Sequence, residues 1–327
     1  MSNRRSILWW VVLALGSTAA VFLGRYPSTG FTSPAALRSD PLVAQVIVQL
    51  RMPRVLFAVV VGMSLGSAGW VFQTLFRNPL VEPGFLGVSP GAAFGAALAI
   101  VTVPGAGALV PVLALIGAFT GLSASFLLAR RLPYGGWIVR LVISGISVSA
   151  LFTAGLGVLK YMADPARQLP ELTFWMLGGL HAVDWNRIVA VVPMVAVSLG
   201  LLVLFRWRIN VLSLDDRSAF SLGARPAGER VLLLAAASTA VAGVTAVAGI
   251  IGWIGLIVPH VVRRSVGADS RFGLPSSMAV GAIIVVLCDS VARIATTAEI
   301  PLGILTSLVG AALFIAFLSR GAVRIQR

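Results

Sequence analysis

The sequence predicts an all-α, polytopic membrane protein in which about ten transmembrane helices form a single bundle. Hydrophobic residues make up 58% of the 327 residues and charged residues 11%, and the mean hydropathy is +0.97. Several charge-free runs approach the roughly 20 apolar residues that a helix needs to cross a bilayer. Strand-like alternation of apolar and polar residues is absent, which favours helices over a barrel. No polar stretch is long enough for a soluble module, so we expect residues 1–327 to form one transmembrane domain.

Ten apolar segments are the predicted spans. They are residues 7–24, 55–76, 86–103, 108–129, 138–159, 188–205, 231–247, 250–262, 276–292 and 302–318. The run 231–262 is divided because one helix of that length would extend about 48 Å, against a hydrocarbon core of about 30 Å. Gly249, Gly252 and Pro259 lie where the helix is expected to break.

Basic residues are distributed unevenly between the two sides of such a bundle. Ten crossings place both termini on one side, and 17 of the 25 Lys and Arg residues fall in the termini and loops of that side. Because basic residues collect in cytoplasmic loops, we expect both termini in the cytoplasm. The net charge of +14 then indicates a membrane lipid environment and no nucleic acid partner. The longest polar run, 206–230, lies on the same side and predicts one or two short amphipathic helices.

Residues for catalysis, cofactors or metals are sparse. No phosphate-binding G-x-x-x-x-G-K-[ST] loop is present, and Lys160 is the one lysine, so no ATP site is expected. The one cysteine, Cys288, lies in an apolar run and excludes both a disulfide and a cysteine metal cluster. His181 and His260 are predicted to lie on opposite sides, and His260 is expected to bond to backbone carbonyl groups freed by Pro259. We expect no enzyme activity, no cofactor and no metal site.

The stretch 51–95, which runs from RMPR to FRNPLVEPGFLGVSPGAAFG, resembles permease subunits of bacterial ABC importers for iron chelates, haem and vitamin B12. This is the FecCD or BtuC-like family. Further matches follow in order along nearly the whole chain, namely LTFWMLGGL, NVLSL, IGWIGLIVPHVVRRSVGAD, DSVAR and EIPLG. Asp215, where the family commonly has glycine, and the C-terminal GAALF depart from the pattern. The resemblance implies a type II importer fold and a homodimer in the bacterial inner membrane, with two cytoplasmic ATPase subunits and a periplasmic substrate-binding protein.

The resemblance places three arginines of the outer side where glutamates of the binding protein dock. Arg51 and Arg54 begin the second span, and Arg293 ends the ninth. The alternative is that these side chains extend to lipid headgroups. Asp289 lies one turn before Arg293, at the spacing for a pair on one helix face. We expect that pair to be structural.

The resemblance also predicts a cytoplasmic gate and a pore surface. Asn78 and Leu80, which follow the second span, are the first gate candidates, and the alternative is a turn that Pro79 ends and Asn78 caps. Ile138 and Val139 are expected to form the other part of the gate. The pore is predicted to be lined by four small residues of the fifth span, Ser144, Gly145, Ser147 and Ser149.

The run 206–230 corresponds to the segment through which such a permease is coupled to its ATPase. Its apolar residues are expected to enter a groove of the ATPase, with charged residues as a polar rim, and Gly223 belongs to the same segment. The apolar set is Leu212, Leu214, Phe220 and Leu222, and the rim is Asp215, Asp216 and Arg217. The alternative is that the apolar side chains fold back onto the bundle.

The expected cargo is an iron chelate of the siderophore type, with haem, a corrinoid or molybdate as alternatives within the family. An ion-coupled secondary transporter is the alternative from a different class. That class needs carboxylates or histidines inside the membrane, and Asp289 is the clear candidate in this sequence.

Overall fold

The computed structural model is almost entirely helical, as the sequence predicts. It describes residues 2–103, 105, 107–133, 135–296 and 298–319. In chain order the α-helices are α1 (Ser2–Phe22), α2 (Ala36–Ser39), α3 (Pro41–Val46), α4 (Met52–Leu75), α5 (Val88–Thr102), α6 (Leu109–Arg131), α7 (Trp137–Met162), α8 (Gln168–Leu177), α9 (Trp185–Leu204), α10 (Arg206–Leu212), α11 (Asp216–Ser221), α12 (Pro226–Ala248), α13 (Ile254–Val266), α14 (Ser270–Ile294) and α15 (Leu302–Ser319). Strands β1 (Leu23–Gly24) and β2 (Gly30–Phe31) form a short antiparallel pair.

Each of the ten predicted spans corresponds to a helix, with ends that differ by several residues. Within the described ranges, seven helices are long and apolar enough to cross a membrane, and α5 and α15 are shorter apolar helices. The predicted division of the run 231–262 is confirmed, since α12 ends at Ala248 and α13 begins at Ile254. The two short helices predicted in 206–230 are α10 and α11.

The second span is longer than predicted. A π-helical segment, Ile47–Arg51, joins α3 to α4, so that one continuous helix of 35 residues covers Pro41–Leu75. Asp40 caps its first turn, and the carboxylate accepts hydrogen bonds from the backbone N–H groups of Leu42 at 2.9 Å and Val43 at 3.4 Å. An N-cap aspartate followed by proline is a common helix start. The helix therefore begins well before residue 55.

Small residues let the central helices pack closely. Helix α4 packs most extensively on α14, and α5 packs on α6. Gly62 of α4 faces Gly281 of α14, while Gly91 of α5 faces Gly117 of α6. A Cβ atom on Gly91 would lie 2.3 Å from the carbonyl oxygen of Gly117, so no larger residue fits there without moving the backbone. Small residues at helix interfaces permit such close approaches inside a membrane.

The bundle has two ends, which differ in composition. The basic end contains the start of α1, helices α10 and α11, the end of α13 and the start of α14. A hydrogen bond from Nη1 of Arg5 to the carbonyl oxygen of Ser265, 2.8 Å long, joins α1 to α13 there. The far end contains the β1–β2 hairpin, α3, α8 and residues 295–296 and 298–301, which lie between α14 and α15. There the backbone N–H of Leu302 donates to the carbonyl oxygen of Gly178 at 2.9 Å. These two ends hold most of the candidate functional residues.

Candidate functional site

Arg51 is buried at the far end, where it bonds to the hairpin that follows α1. Its side chain is 6% exposed. The guanidinium donates to the carbonyl oxygen of Tyr26 at 2.6 Å, to Oγ1 of Thr32 at 3.1 Å and to the carbonyl oxygen of Phe22 at 3.4 Å. A Cβ atom on Gly24 would lie 2.3 Å from Nη2 of Arg51, so a larger residue there would displace the guanidinium.

Arg54, Arg293, Asp289 and Glu299 form a charge network beside Arg51. Asp289 is 1% exposed, and its carboxylate lies between Nε of Arg54 at 2.8 Å and Nε of Arg293 at 3.1 Å. Both carboxylate oxygens of Glu299 accept from Nη1 of Arg54, at 2.9 Å and 2.8 Å. The predicted pair of Asp289 and Arg293 is confirmed, and it belongs to a larger network. Buried charges are tolerated when they are paired and hydrogen-bonded in this way.

The three predicted docking arginines therefore all bond within the chain. Arg293 is 7% exposed and also donates to the carbonyl oxygens of Leu23 and Ala20, both at 3.2 Å. The side chain of Arg54 is 11% exposed, while that of Glu299 is 44% exposed. These two border a cavity of about 210 Å³ at the far end. These bonds within the chain favour a structural role over lipid anchoring, and docking stays a prediction.

The predicted gate residues lie at the ends of α4 and α7. Asn78 forms a turn in which its Oδ1 accepts from the backbone N–H of Leu80 at 2.9 Å. Leu80 is 50% exposed and Val139 is 51% exposed, whereas Ile138 is half-buried. The loop thus has the capped turn that the sequence suggested, and it also presents an apolar side chain to the surroundings. This geometry is compatible with Asn78 as a gate residue and with Asn78 as the cap of a turn.

Two of the four predicted pore-lining residues lie on the packed side of α7, contrary to the prediction. Ser144 is fully buried and Gly145 is buried. Gly145 is covered by a 3-10 helix, Pro83–Leu86, that approaches α7 so closely that a Cβ atom on Gly145 would lie 2.9 Å from the carbonyl oxygen of Phe85. Ser147 is exposed, and Ser149 lines a cavity of about 410 Å³ beside the 3-10 helix.

The open face of α7 is more apolar than the sequence suggested. Ile143 is 42% exposed, Ile146 is 54% exposed and Leu151 is 72% exposed. Ser147 lies among them, and its hydroxyl donates to the carbonyl oxygen of Ile143 at 2.9 Å. The face therefore presents an uncharged and weakly polar surface.

The coupling segment 206–230 divides its apolar residues between the bundle and the exterior. Leu212 is fully buried, so this residue folds back onto the bundle, contrary to the predicted docking role. Leu214 is 42% exposed, Phe220 is 72% exposed and Leu222 is 61% exposed. These three side chains are available to a partner.

Charged residues fix the shape of the coupling segment. Asp215 caps α11, and the hydrogen bond from the backbone N–H of Ser218, 3.0 Å long, lowers the pKa of the Asp215 carboxyl. Asp216 accepts a 2.6 Å hydrogen bond from Nη1 of the buried Arg230, whose Nη2 donates to the carbonyl oxygen of Leu212 at 3.0 Å. Arg217 is exposed, and Gly223 has φ +76 and follows the end of α11.

Comparison with known proteins gives one consistent family. A sequence profile described as the FecCD transport family matches residues 11–320. The chain belongs to the FecCD transport family. ABC importer permeases make up this family, so the chain is a membrane permease of the FecCD type.

Relatives of this FecCD-family permease carry several names. It is 39% identical over 318 residues to the molybdate import system permease protein of Haemophilus influenzae, with 94% of each chain covered. It is 40% identical to the probable iron chelatin transport system permease protein of Helicobacter pylori, which covers 84% of this chain and 82% of the relative. It is 36% identical to the hemin transport system permease protein of Yersinia pestis, with coverage of 95% and 92%.

A solved structure supports the same family. It is described as an inward-facing conformation of a metal-chelate type ABC transporter, and it matches with a TM-score of 0.88 and 34% identity. The match covers 97% of this chain and 99% of the solved chain. The helical bundle of the FecCD-family permease is therefore the fold of that transporter's matching chain.

Two features of this FecCD-family permease were missed by sequence reasoning. One is the hydrogen bond from the backbone N–H of Trp253 to Oε1 of Glu82, 2.9 Å long, which joins the loop after α4 to the start of α13. The other is the pairing of Arg54 with Glu299. In the described residues no group of three or more His, Cys, Asp or Glu side chains could hold a metal ion. His260 bonds through Nδ1 to the carbonyl oxygen of Leu256 at 2.8 Å, which agrees with the structural role predicted for it.

Proposed function

We propose that this chain is the membrane-spanning subunit of an ATP-driven importer that moves an iron chelate from a periplasmic binding protein to the cytoplasm. The observation that carries the proposal is the FecCD match over residues 11–320 together with the full-length structural match. ATP is hydrolysed by a separate subunit. The importer lies in the inner membrane with the basic end in the cytoplasm, where the positive-inside rule places it.

An iron chelate is the preferred cargo because of the surface that α7 presents. That surface contains Ile143, Ile146 and Ser147 and has no charge. A chelate that encloses its metal can pass such a surface, whereas a small free ion would lose hydration without gaining partners. The names of the relatives include molybdate, iron chelatin, hemin and cobalamin at identities of 36–40%, so identity does not rank these cargoes. Molybdate, haem and a corrinoid remain the alternatives.

Two copies of the chain enclose the translocation path between their α7 helices. The exposed face of α7 faces the second copy across this path, with Ser149 toward the path. At the basic end, Leu80 and Val139 of each copy meet and close the gate. Both side chains are half exposed in the single chain, and exposed apolar residues beside a polar loop are suited to such a contact.

Each end of the bundle meets a different partner. Two ATPase subunits bind the coupling segments through Leu214, Phe220 and Leu222, which are exposed in the single chain. The binding protein meets the far end. Of the three arginines there, Arg54 borders an open cavity, so we assign it the direct contact. Arg51 and Arg293 hold the surrounding backbone in place.

The ion-coupled alternative depends on Asp289, and the structure gives this residue another role. A coupling carboxylate has to bind and release a cation or a proton. The Asp289 carboxylate already has guanidinium nitrogens of Arg54 at 2.8 Å and Arg293 at 3.1 Å. These two fixed cations occupy the positions that a transported ion would need, which favours the ATP-driven importer.

Uptake into proteoliposomes tests the proposed function. The chain is reconstituted with its ATPase and binding protein, and uptake of a ferric siderophore, haem, cobalamin and molybdate is measured with and without ATP. We expect ATP-dependent uptake of the ferric siderophore and no ATP hydrolysis by the purified chain alone. Uptake of a different cargo would replace the cargo assignment. Uptake driven by an ion gradient without the ATPase would overturn the importer mechanism itself.

A further inference from the structure

A large groove opens on the side of the bundle, away from the α7 face. It has a volume of about 850 Å³ and is lined mainly by apolar side chains. Helices α4 and α14 form its floor, with Met63 and Met278, and α1 and α9 form its walls, with Trp10 and Leu199. Its volume is within the range of about 300–1,000 Å³ that is usual for ligand sites.

The groove has the depth of one membrane leaflet. Arg271 at its mouth is the second residue of α14, and Met278 lies seven residues further along that helix, or about 10 Å at 1.5 Å per residue. On α4, Met63 lies twelve residues before Leu75, which is about 18 Å from that helix end. Half of the hydrocarbon core is about 15 Å thick. The groove therefore runs from the basic end to about the middle of the membrane.

The mouth of the groove is cationic and aromatic. Arg206 is exposed, and the side chain of Arg271 is 53% exposed. The Arg271 guanidinium lies 5.0 Å from the ring centroid of Trp207, and its Nε donates to Oδ2 of Asp269 at 2.8 Å. These hydrogen bonds lower the pKa of Asp269 to about 2. The ionised Asp269 balances one of the two arginines and leaves a net positive charge at the mouth.

Asp269 also fixes where Arg271 points. Oδ1 of Asp269 accepts from Nδ2 of Asn210 at 2.8 Å, which joins α10 to the start of α14. The Trp207 ring holds the guanidinium from the other side. Since both contacts involve α10, the two arginines are presented together at one edge of the groove. Fixed guanidinium groups are well suited to phosphate oxygens.

An apolar groove of leaflet depth with cations at its mouth has the shape and charge of a phospholipid. We propose that this groove binds one anionic phospholipid of the leaflet at the basic end, with an acyl chain between α1 and α9 and the phosphate at Arg206 and Arg271. Bulk lipid is as apolar as the groove, so the acyl chain sets position and gives little selectivity. Selectivity comes from the arginines, each of which favours an anionic headgroup by about fivefold. The inference goes beyond the proposed function and does not depend on the cargo.

Native mass spectrometry of the full-length protein in mild detergent tests the site. Equal amounts of phosphatidylglycerol and phosphatidylcholine with matched chains are added, and the ratio of the two bound species is measured. We expect the first bound lipid to be phosphatidylglycerol by fivefold or more. Arg206→Gln and Arg271→Gln should each lower that preference several-fold. Arg264→Gln is the matched control, because Arg264 is an exposed arginine near the end of α13 that does not line the groove, and it should leave the ratio unchanged.

A second variant separates the groove from general surface attraction. Gly200 of α9 lines the groove, and no heavy atom lies within 4 Å of the position that its Cβ would take. Gly200→Phe should therefore fill the groove without disturbing the packing or the arginines, and it should abolish the retained phosphatidylglycerol. Each variant is checked by size exclusion and thermal unfolding. If Arg271→Gln does not fold, Arg206→Gln and Gly200→Phe decide the outcome.

Three results would overturn the proposal. One is an unchanged lipid ratio in the folded arginine variants. Another is full retention of phosphatidylglycerol by Gly200→Phe, since the lipid would then lie outside the groove. The third is displacement of the lipid by an equal concentration of glycerol phosphate or inorganic phosphate, because the arginines would then form a site for soluble anions.

Discussion

The two ends of the bundle differ in how they hold the residues that the sequence predicts to bind partners. At the far end, Arg51, Arg293 and Asp289 are buried and their partners lie within the same chain. At the basic end, the coupling segment leaves Phe220 and Leu222 mostly exposed. The far end thus pairs its buried charges within the chain, whereas the basic end presents apolar surface that a solvated loop does not need. This difference separates residues that hold the fold from residues that are available to a partner.

The largest effect is expected from removing the charge at the centre of the far-end network. Asp289→Asn leaves the guanidinium groups of Arg54 and Arg293 without a buried anion between them. Removal of one member of a buried ion pair costs about 3–5 kcal/mol. Unfolding in mixed micelles with increasing SDS measures the loss in the free energy of unfolding. A loss below about 1 kcal/mol would mean that the network is not structural.

Leu212 tests the inner side of the coupling segment. Because this side chain is fully buried, Leu212→Ala should lower the free energy of unfolding by about 2–5 kcal/mol. Leu222→Ala is the matched control, since Leu222 is 61% exposed and surface substitutions usually stay within about 0.5 kcal/mol. Both variants are measured by the same SDS unfolding. Equal losses in the free energy of unfolding would show that Leu212 does not stabilise the bundle more than Leu222 does.

The outer side of the segment is tested by binding and not by stability. Phe220→Ser with Leu222→Ser should leave unfolding nearly unchanged but weaken ATPase binding, because burial of each such side chain contributes about 1.5–3 kcal/mol. That corresponds to at least about tenfold per residue. Co-purification of the ATPase and transport are measured together. A correctly inserted double variant that retains its ATPase and still transports would exclude the coupling role.

The smallest change in the free energy of unfolding is expected from Asp216→Asn, which is the same substitution at the basic end. Asp216 has a side chain that is 71% exposed, although it pairs with Arg230 at 2.6 Å. Exposed ion pairs contribute about 0–1 kcal/mol, and Arg230 keeps its bond to the carbonyl oxygen of Leu212. Asp216→Asn should therefore lower the free energy of unfolding by no more than about 1 kcal/mol. A loss as large as that of Asp289→Asn would show that exposure does not separate the two ends.

Local patterns predicted the features that depend on one helix. Asp289 and Arg293 are four residues apart, so their pairing follows from helix geometry alone. Arg54 and Glu299 are 245 residues apart in the chain, and no periodicity reports which distant helices meet. The same limit explains Gly145, which is covered by a 3-10 helix from another part of the chain.

Some errors could have been avoided from signals in the sequence. Ile209 and Leu212 are three residues apart and both fully buried, which is the spacing of one apolar helix face. That spacing indicates that Leu212 faces the bundle. Asp40 followed by Pro41 likewise marked the true start of the second span. The ten apolar runs were predictable because hydrophobic length alone determines a membrane helix.

The continuous helix Pro41–Leu75 gives the far end a raised rim. Its 35 residues extend about 52 Å. A hydrocarbon core of about 30 Å takes up about 39 Å of helix even at a tilt of 40°. About 13 Å or more must stand outside the hydrocarbon, and Asp40, which caps the start of the helix, indicates which end projects. A soluble protein that approaches the far end therefore meets a ridge, which can orient it by shape before any charged groups touch.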